Sequence, residues 1–331
     1  MSLRLVQLTD ADGRRRLAAY DDIADARLVD GHDSVYGLAM FAIGSGQGLA
    51  QVVQSSLGDT VDIVAADAEG RLLAPIDHPD PAHLYVTGTG LTHLGSAEGR
   101  DQMHRAAKTG ATTDSMRMFL MGVEGGKPPL GSAGVQPEWF YKGDGSILVG
   151  TGQPLPSPAF ALDGGEEPEI AGIYVIDGAG QPRRLGFALG NEFSDHVTER
   201  GNYLWLAHSK LRHAALGAEL LSGELPQDVR GTSSITRGGE VIWERPFLSG
   251  EANMSHAIAN LEHHHFKYGI FRRPGDVHVH FFGTATLSFS EGIQPQEGDI
   301  FDVRAAPFQL PLRNPVRQET EPDTMIVVTA L

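Results

Sequence analysis

From about residue 137 onward the chain repeats one pattern, a short apolar run followed by a cluster of Gly, Asp, Asn or Pro. EIAGIYVID (169–177), RLGFALGNEF (184–193), EVIWERPF (240–247), DVHVHFFGTATLS (276–288), DIFDVRAAPF (299–308) and DTMIVVTAL (323–331) all follow it. Runs this short, bounded by turn formers, spell strands joined by tight turns. Gly 41 and Pro 19 together make roughly 18% of the chain, below the level of a disordered sequence but enough for many turns. One helix is expected in this half, near 254–271, where Met254, Ile258 and Leu261 recur at helical spacing. The predicted class is α+β with β dominant, built as a mixed β-sandwich or β-roll.

The first part of the chain reads differently. SLRLVQL (2–8) and TVDIVAA (60–66) have the apolar content of strands and flank a helix-like stretch around 37–56. The proline-bearing LLAPIDHPDP (72–81) closes this unit. Residues 1–83 are therefore expected to form a small N-terminal α/β domain or lid, and 84–331 the main domain. Two further helices are predicted at 97–107 and 113–123, the second opening on Thr113 and Asp114, both N-cap formers.

Composition narrows the function. Lys+Arg 26 against Asp+Glu 42 leaves a net charge of −16, which opposes nucleic acid and anionic membrane surfaces alike. No apolar run approaches the roughly 18 residues of a membrane span, and MSLRLVQLTDADGRRR lacks the apolar block of a secretory signal, so a cytoplasmic location is expected. The chain has no cysteine. Disulfides, thiolate nucleophiles and Cys-ligated zinc are excluded together, leaving carboxylate, His, Lys and Ser/Thr to carry chemistry.

Glu167-Pro168-Glu169 opens the first strand of this half. In an extended chain the two carboxylates leave one face, roughly 6.7 Å apart along the strand. Glu192 ends the next predicted strand, and antiparallel pairing would bring it beside Glu169. Three carboxylates form a hard oxygen site suited to Mg²⁺, Mn²⁺ or Ca²⁺. Three positions of an octahedron stay open, and a 2-oxo acid can fill two. With a dication and an acid substrate the charge is still negative, so Lys142, Lys210 or Arg212 is expected nearby. Other motifs carry less. His278 and His280 form an HxH pair without a cupin's glutamate, and His263–His265 read as a partly exposed segment late in a helix. Gly88-Thr89-Gly90 lacks the third glycine of a dinucleotide fingerprint, because residue 93 is His93.

The order of these pieces resembles the fumarylacetoacetate hydrolase family over about 84–331. VTGTGLTH (86–93) is similar to its Gly-rich loop ending in His, and Phe140-Tyr141-Lys142 to its Phe-x-Lys segment. Glu167 and Glu169 match its Glu-x-Glu, and Asn191-Glu192-Phe193-Ser194 its Asn-acidic-x-Ser turn. His208-Ser209-Lys210 with Leu216-Gly217 match its Lys/Ser segment. Gly275-Asp276, Gly283-Thr284, Gly298-Asp299 and Leu312-Arg313-Asn314 match its closing strands. The third ligand is usually Asp there, and His196 stands where an Arg usually follows the Ser turn. The family's lysine falls on Lys210 or His208.

The resemblance implies that Glu167, Glu169 and Glu192 hold a Mg²⁺-like ion and that Lys210 and Thr284 bind the substrate's carboxylate end. Lys142, Ser209 and Gly283 join that substrate site, with His93 or another residue of 88–142 as the base. AHSKLR (207–212), GTGLTHLGSA (88–97) and PEWFYKG (137–143) most resemble a sugar-acid branch (GguC-like proteins). That similarity implies a metal-dependent 2-keto-3-deoxy-pentonate dehydratase, a hydro-lyase forming 2-oxoglutarate semialdehyde in bacterial pentose or sugar-acid catabolism. A C–C hydrolase of acylpyruvate-type acids and a non-catalytic sugar-acid binding protein are the alternatives. The family also implies a homodimer, with Trp205 and Phe271 as candidate interface residues.

Overall fold

The computed structural model describes residues 3–94, 114–321 and 324–331. They form a strand-dominated α+β fold with two sheets. The strands in chain order are β1 (Arg4–Thr9), β2 (Arg15–Tyr20), β3 (Arg27–Val29), β4 (Leu57–Thr60), β5 (Leu84–Gly88) and β6 (Phe140–Asp144). β7 (Leu148–Val149), β8 (Leu155–Ser157), β9 (Pro168–Ile176), β10 (Pro182–Asn191), β11 (Ala214–Leu216) and β12 (Glu219–Leu221) follow. β13 (Val229–Arg237), β14 (Glu240–Ser249), β15 (Val277–Phe281), β16 (Ile300–Ala306) and β17 (Leu312–Gln318) complete the set.

The larger sheet runs β4-β3-β2-β1-β12-β10-β9-β15-β5-β6, with β11 attached to β10 and β7 to β11. The smaller runs β14-β13-β16-β17-β8. β9 is buried along its whole length because it lies between two cores. On one face Ala171, Ile173 and Val175 meet Val35, Leu38 and Val52 from two helices, Val35–Ser45 and Leu49–Ser55. On the other, Ile170 joins Phe187, Phe247, Phe282 and Phe301 between the sheets. Alternation along one strand thus supplies both layers.

Several expected elements differ in extent or kind. TVDIVAA is not a strand: β4 ends at Thr60 and a helix spans Ile63–Ala68. Asp62 accepts from the Ala65 N–H, and this cap with three alanines outweighs the β-branched pair. The 37–56 helix is two helices, because Gly46 adopts the left-handed conformation (φ 67°) that ends the first. The 254–271 helix is confined to Ile258–Phe266 between two short 3₁₀ turns. β15 stops at Phe281, since Gly283 turns the chain away. Residues 324–331 form no strand. The helix at 113–123 is observed as Asp114–Gly125, whereas the one at 97–107 and the Thr113 cap lie outside the described residues. Phe271 is buried against Phe266 and Tyr174, which removes it as an interface candidate, while Trp205 is exposed. No helix among the described residues is long and apolar enough to cross a membrane.

Candidate metal centre

Antiparallel pairing of β9 with β10 sets Gly190 opposite Glu169 and Asn191 opposite Pro168. The ladder continues one step, the Glu192 N–H donating to the Glu167 carbonyl at 2.9 Å. Asn191 Oδ1 accepts from the Glu167 N–H at 3.1 Å, locking the entry to β9. Register alone therefore gathers the carboxylates of Glu167, Glu169 and Glu192, one oxygen of each lying within 4.8 Å of the others. All three are buried.

Their partners differ. Glu167 and Glu192 both receive the Lys210 ammonium, Glu192 at 2.8 Å. Glu192 also pairs with Lys142 at 2.5 Å. Burial would raise the Glu167 carboxyl, but Lys210 and His196 overcome it and hold it low. Among the described residues Glu169 has no cation in contact; it accepts the Gly283 N–H at 2.6 Å. Burial, then repulsion from Glu192 and Glu167, pushes its carboxyl well above the usual range. A buried carboxylate with hard oxygens around it and no counter-charge of its own is what a divalent cation relieves. The donor set fits such an ion.

Lys210 ends the short helix Leu206–Lys210. Besides the two carboxylates its ammonium reaches Ser194 Oγ at 3.2 Å and lies 5.0 Å from the centre of the Phe140 ring. Burial works to lower its pKa, but Glu167, Glu192 and Glu199 keep it well above normal, so it stays charged. Of the two residues left open in the sequence, Lys210 reaches the carboxylates and His208 is exposed. Lys142 sits on β6 where the register against β5 slips between Val86 and Thr87. That bulge turns its side chain inward. Its ammonium spends its donors on Glu192, the Phe193 carbonyl (2.6 Å) and the Lys210 carbonyl (3.0 Å). It braces the site from behind.

His196 lies between Asp163 and Glu167, 3.3 Å from each through opposite ring nitrogens, and stacks on Phe289. Burial opposes protonation, but the two carboxylates win and raise its pKa to about 10. A histidine here thus supplies a positive charge. Behind it, Asp195 and Arg212 form a buried pair at 3.0 Å.

His93 follows Leu91, whose left-handed backbone (φ 56°) turns the loop after β5. Its Nδ1 is 3.0 Å from Thr92 Oγ1 and its Nε2 3.0 Å from Ser249 Oγ. Burial and the nearby His256 lower its pKa to about 3, so the ring is neutral. It stands next to Gly283, whose absent Cβ would lie 3.6 Å from Nδ1. Among the other expected residues, the Ser209 hydroxyl donates to the Leu206 carbonyl at 2.7 Å, and Thr284 Oγ1 accepts from the Thr286 N–H. Gly283 brings its N–H to Glu169.

One carboxylate of this neighbourhood was not singled out in the sequence. Glu138, just before β6, is buried; it accepts the Tyr203 hydroxyl, and its other oxygen fills the space a Cβ on Gly90 would need. Burial raises its pKa, with Tyr203 and Lys210 opposing. Nothing in PEWFYKG separates it from a surface acid; only the approach of the glycine loop does. Of the run His263–His265, expected to be partly exposed, His263 is exposed while His264 and His265 are buried. His265 is fully buried, with Nε2 3.0 Å from His278 Nδ1 and its ring stacked on His280. Among the described residues the three glutamates are the only cluster with metal-ligand spacing.

No protein-family model matches the chain, and no curated protein matches it by sequence. Solved structures do match. A 2-keto-3-deoxy-D-arabinonate dehydratase complexed with magnesium and 2,5-dioxopentanoate superimposes with a TM-score of 0.70 at 18% identity, over 96% of this chain and 100% of that one. A 5-carboxymethyl-2-hydroxymuconate delta-isomerase from Mycobacterium smegmatis gives 0.59 at 18% identity, with the same coverage. A 2-hydroxyhepta-2,4-diene-1,7-dioate isomerase from Mycobacterium marinum gives 0.58 at 17%, again over 96% and 100%. The fold is the fumarylacetoacetate hydrolase-like fold that the motif order resembled.

Proposed function

We propose that this chain is a metal-dependent dehydratase of 2-keto-3-deoxy sugar acids, with 2-keto-3-deoxy-pentonate as substrate and 2-oxoglutarate semialdehyde (2,5-dioxopentanoate) as product. The observation that carries the reading is the buried trio Glu167, Glu169 and Glu192, clamped by Lys210 and Lys142. The likeness in fold to a dehydratase complexed with magnesium and that product supports it. On this reading the three glutamates hold Mg²⁺, or Mn²⁺ or Ca²⁺ in its place. When bound, such an ion supplies Lewis acidity toward the 2-oxo group.

The chain's own residues do the rest. Lys210 offsets the excess negative charge and steers the substrate's carboxylate, and Thr284 at the end of the Gly283 turn serves the same end. Loss of water takes a proton from C3 and the hydroxyl from C4, so it needs one group to accept and one to donate. His93 is neutral and its nitrogens already lie within hydrogen-bonding distance of Thr92 and Ser249. Glu138 therefore takes both parts in turn, accepting the C3 proton and returning it to the departing C4 hydroxyl so that water leaves, with its Tyr203 contact fixing the carboxyl. The unit 1–83 accompanies the catalytic unit 84–331, and the enzyme works in the cytoplasm as a homodimer in sugar-acid catabolism, without nucleic-acid or membrane partners.

The test is a coupled assay of purified protein with Mg²⁺ and synthetic 2-keto-3-deoxy-pentonate, an aldehyde dehydrogenase reporting the semialdehyde. Wild-type turnover that Glu169→Gln abolishes, together with metal binding, is the expected result. Full turnover after exhaustive chelation would sink the account. Release of pyruvate and a carboxylic acid from acylpyruvates would replace it with C–C hydrolysis, and tight binding without product would mark a sugar-acid binding protein.

A further inference from the structure

We infer that a cavity at the seam between segment 73–84 and β7 binds an organic monocarboxylate with an apolar body, at a site separate from the metal centre. The cavity holds about 530 Å³, the size of a small-molecule site, and such sites favour the junctions between parts of a fold. Leu73, Ile76 and Leu84 line it from one segment, Leu148 and Val149 from β7. Neither the three glutamates nor Glu138, Lys142 or Lys210 line it. The seam is held firmly. A Cβ on Gly150 would lie 3.0 Å from the Ala74 nitrogen, so the two stretches touch there through backbone. Gln7 Nε2 donates to the Ala74 carbonyl at 2.6 Å, and Asn314 Nδ2 to the Gly150 carbonyl at 2.9 Å. The walls are therefore fixed before any ligand arrives, which lowers the entropy cost of binding.

The polar groups select the ligand. Arg15 and Asp77 both line the cavity and pair at 2.6 Å, so their charges cancel. Arg15 spends further donors on Gln7 Oε1 at 2.7 Å and the Asp33 carbonyl at 3.1 Å. Arg317 also lines the cavity and has no ion pair among the described residues. His213 lies within reach of its charge. Burial lowers the His213 pKa, opposed by Glu319 and aided by Lys142 and Arg317, so the ring is neutral and offers one N–H. Among the Lys, Arg, Asp and Glu that line the cavity, one positive charge is thus left over, in a chain of net charge −16. One guanidinium matches one carboxylate through charge-assisted hydrogen bonds. Inorganic phosphate would bring more negative charge than the cavity can match, and nothing to cover the aliphatic walls. This goes beyond the proposed activity by assigning a second ligand site.

Calorimetric titration of the full chain with three probes tests it: octanoate, octan-1-ol (the same body without the charge) and inorganic phosphate (charge without the body). Octanoate should saturate one site with a Kd below about 1 mM, at least tenfold tighter than either other probe. Arg317→Gln, a change at an exposed side chain, should weaken octanoate at least tenfold and leave octan-1-ol unchanged. Leu148→Trp, which fills the cavity, should remove both; if that variant misfolds by circular dichroism, Arg317→Gln decides alone. No saturation by octanoate up to about 10 mM would overturn the inference. So would equal binding of octan-1-ol or phosphate, or an Arg317→Gln chain that binds octanoate as wild type does. Glu169→Gln should bind octanoate unchanged, with or without Mg²⁺; loss there would assign the binding to the metal centre and overturn the second site. Heat of binding rather than turnover is read, so an inactive wild type bears only on the dehydratase reading.

Discussion

Glu169 and Glu192 differ by their neighbours, and their chemistry follows. Glu192 lies against Lys142 and Lys210, whose charges oppose the rise that burial causes in its pKa, whereas among the described residues Glu169 is met only by the Gly283 N–H. Glu169→Gln keeps the Gly283 hydrogen bond yet removes the charge, so the variant should fold and lose its divalent ion; calorimetric titration with Mn²⁺ checks this. Glu138 belongs to a separate step. Glu138→Gln should lower kcat by about 10²–10⁴-fold while metal affinity stays the same, as fits a proton-transfer group. A variant of near wild-type kcat would return the role to His93. These two glutamates also mark how far a sequence can be read. Glu169 was legible because Glu-x-Glu at a strand start forces two side chains to one face. Glu138 was not, because its burial comes from Gly90 and Tyr203, remote in the chain.

At the scale of elements the site depends on turns at strand ends. Gly283 is required at its place: φ is +92°, and a Cβ would lie 2.3 Å from Thr92 Oγ1 and 2.7 Å from the Thr89 carbonyl. Among the described residues its N–H is also the only donor in contact with Glu169. Gly283→Ala should cost about 1–3 kcal/mol in urea unfolding and weaken metal binding with it. A loss below about 0.5 kcal/mol would show that the turn relaxes freely. The strands that were read correctly, β9 and β10 among them, have long apolar runs whose two faces are both buried. The segment at 60–66 was misread because local capping by Asp62 decided it. The run at 323–331 has strand composition, but composition cannot provide a neighbour.

Across the whole molecule, neutral histidines are built into the interior. His265 takes the Trp139 indole N–H on Nδ1 and faces His278 through Nε2. Burial lowers its pKa to about 3. In the unfolded chain it titrates near 6.5, so between those values only the unfolded state binds the proton. Its stabilisation is present above about pH 6.5 and is lost as pH falls toward 3, by about 1.4 kcal/mol per pH unit. In urea unfolding from pH 7 to 5, His265→Phe should lose stability more slowly than wild type. Parallel slopes would refute the assignment. His256, lowered to about 4 by burial first and then by His264 and Lys127, acts in the same direction.

What the sequence by itself determined was whatever follows from neighbours along the chain: a strand-rich class, chemistry without sulfur, and the paired face of Glu167 and Glu169. Glu192 joined them because a hairpin's register is implied by its two strands. Tertiary structure decided the remainder. It brought Lys210 rather than His208 to the carboxylates, turned Lys142 onto Glu192, and set His196 between two acids that raise its pKa. It also buried His265 and brought Glu138 to the glycine loop. Each of these outcomes depends on burial and on charges remote in sequence, and a pKa or a counter-ion is a property of that surrounding volume.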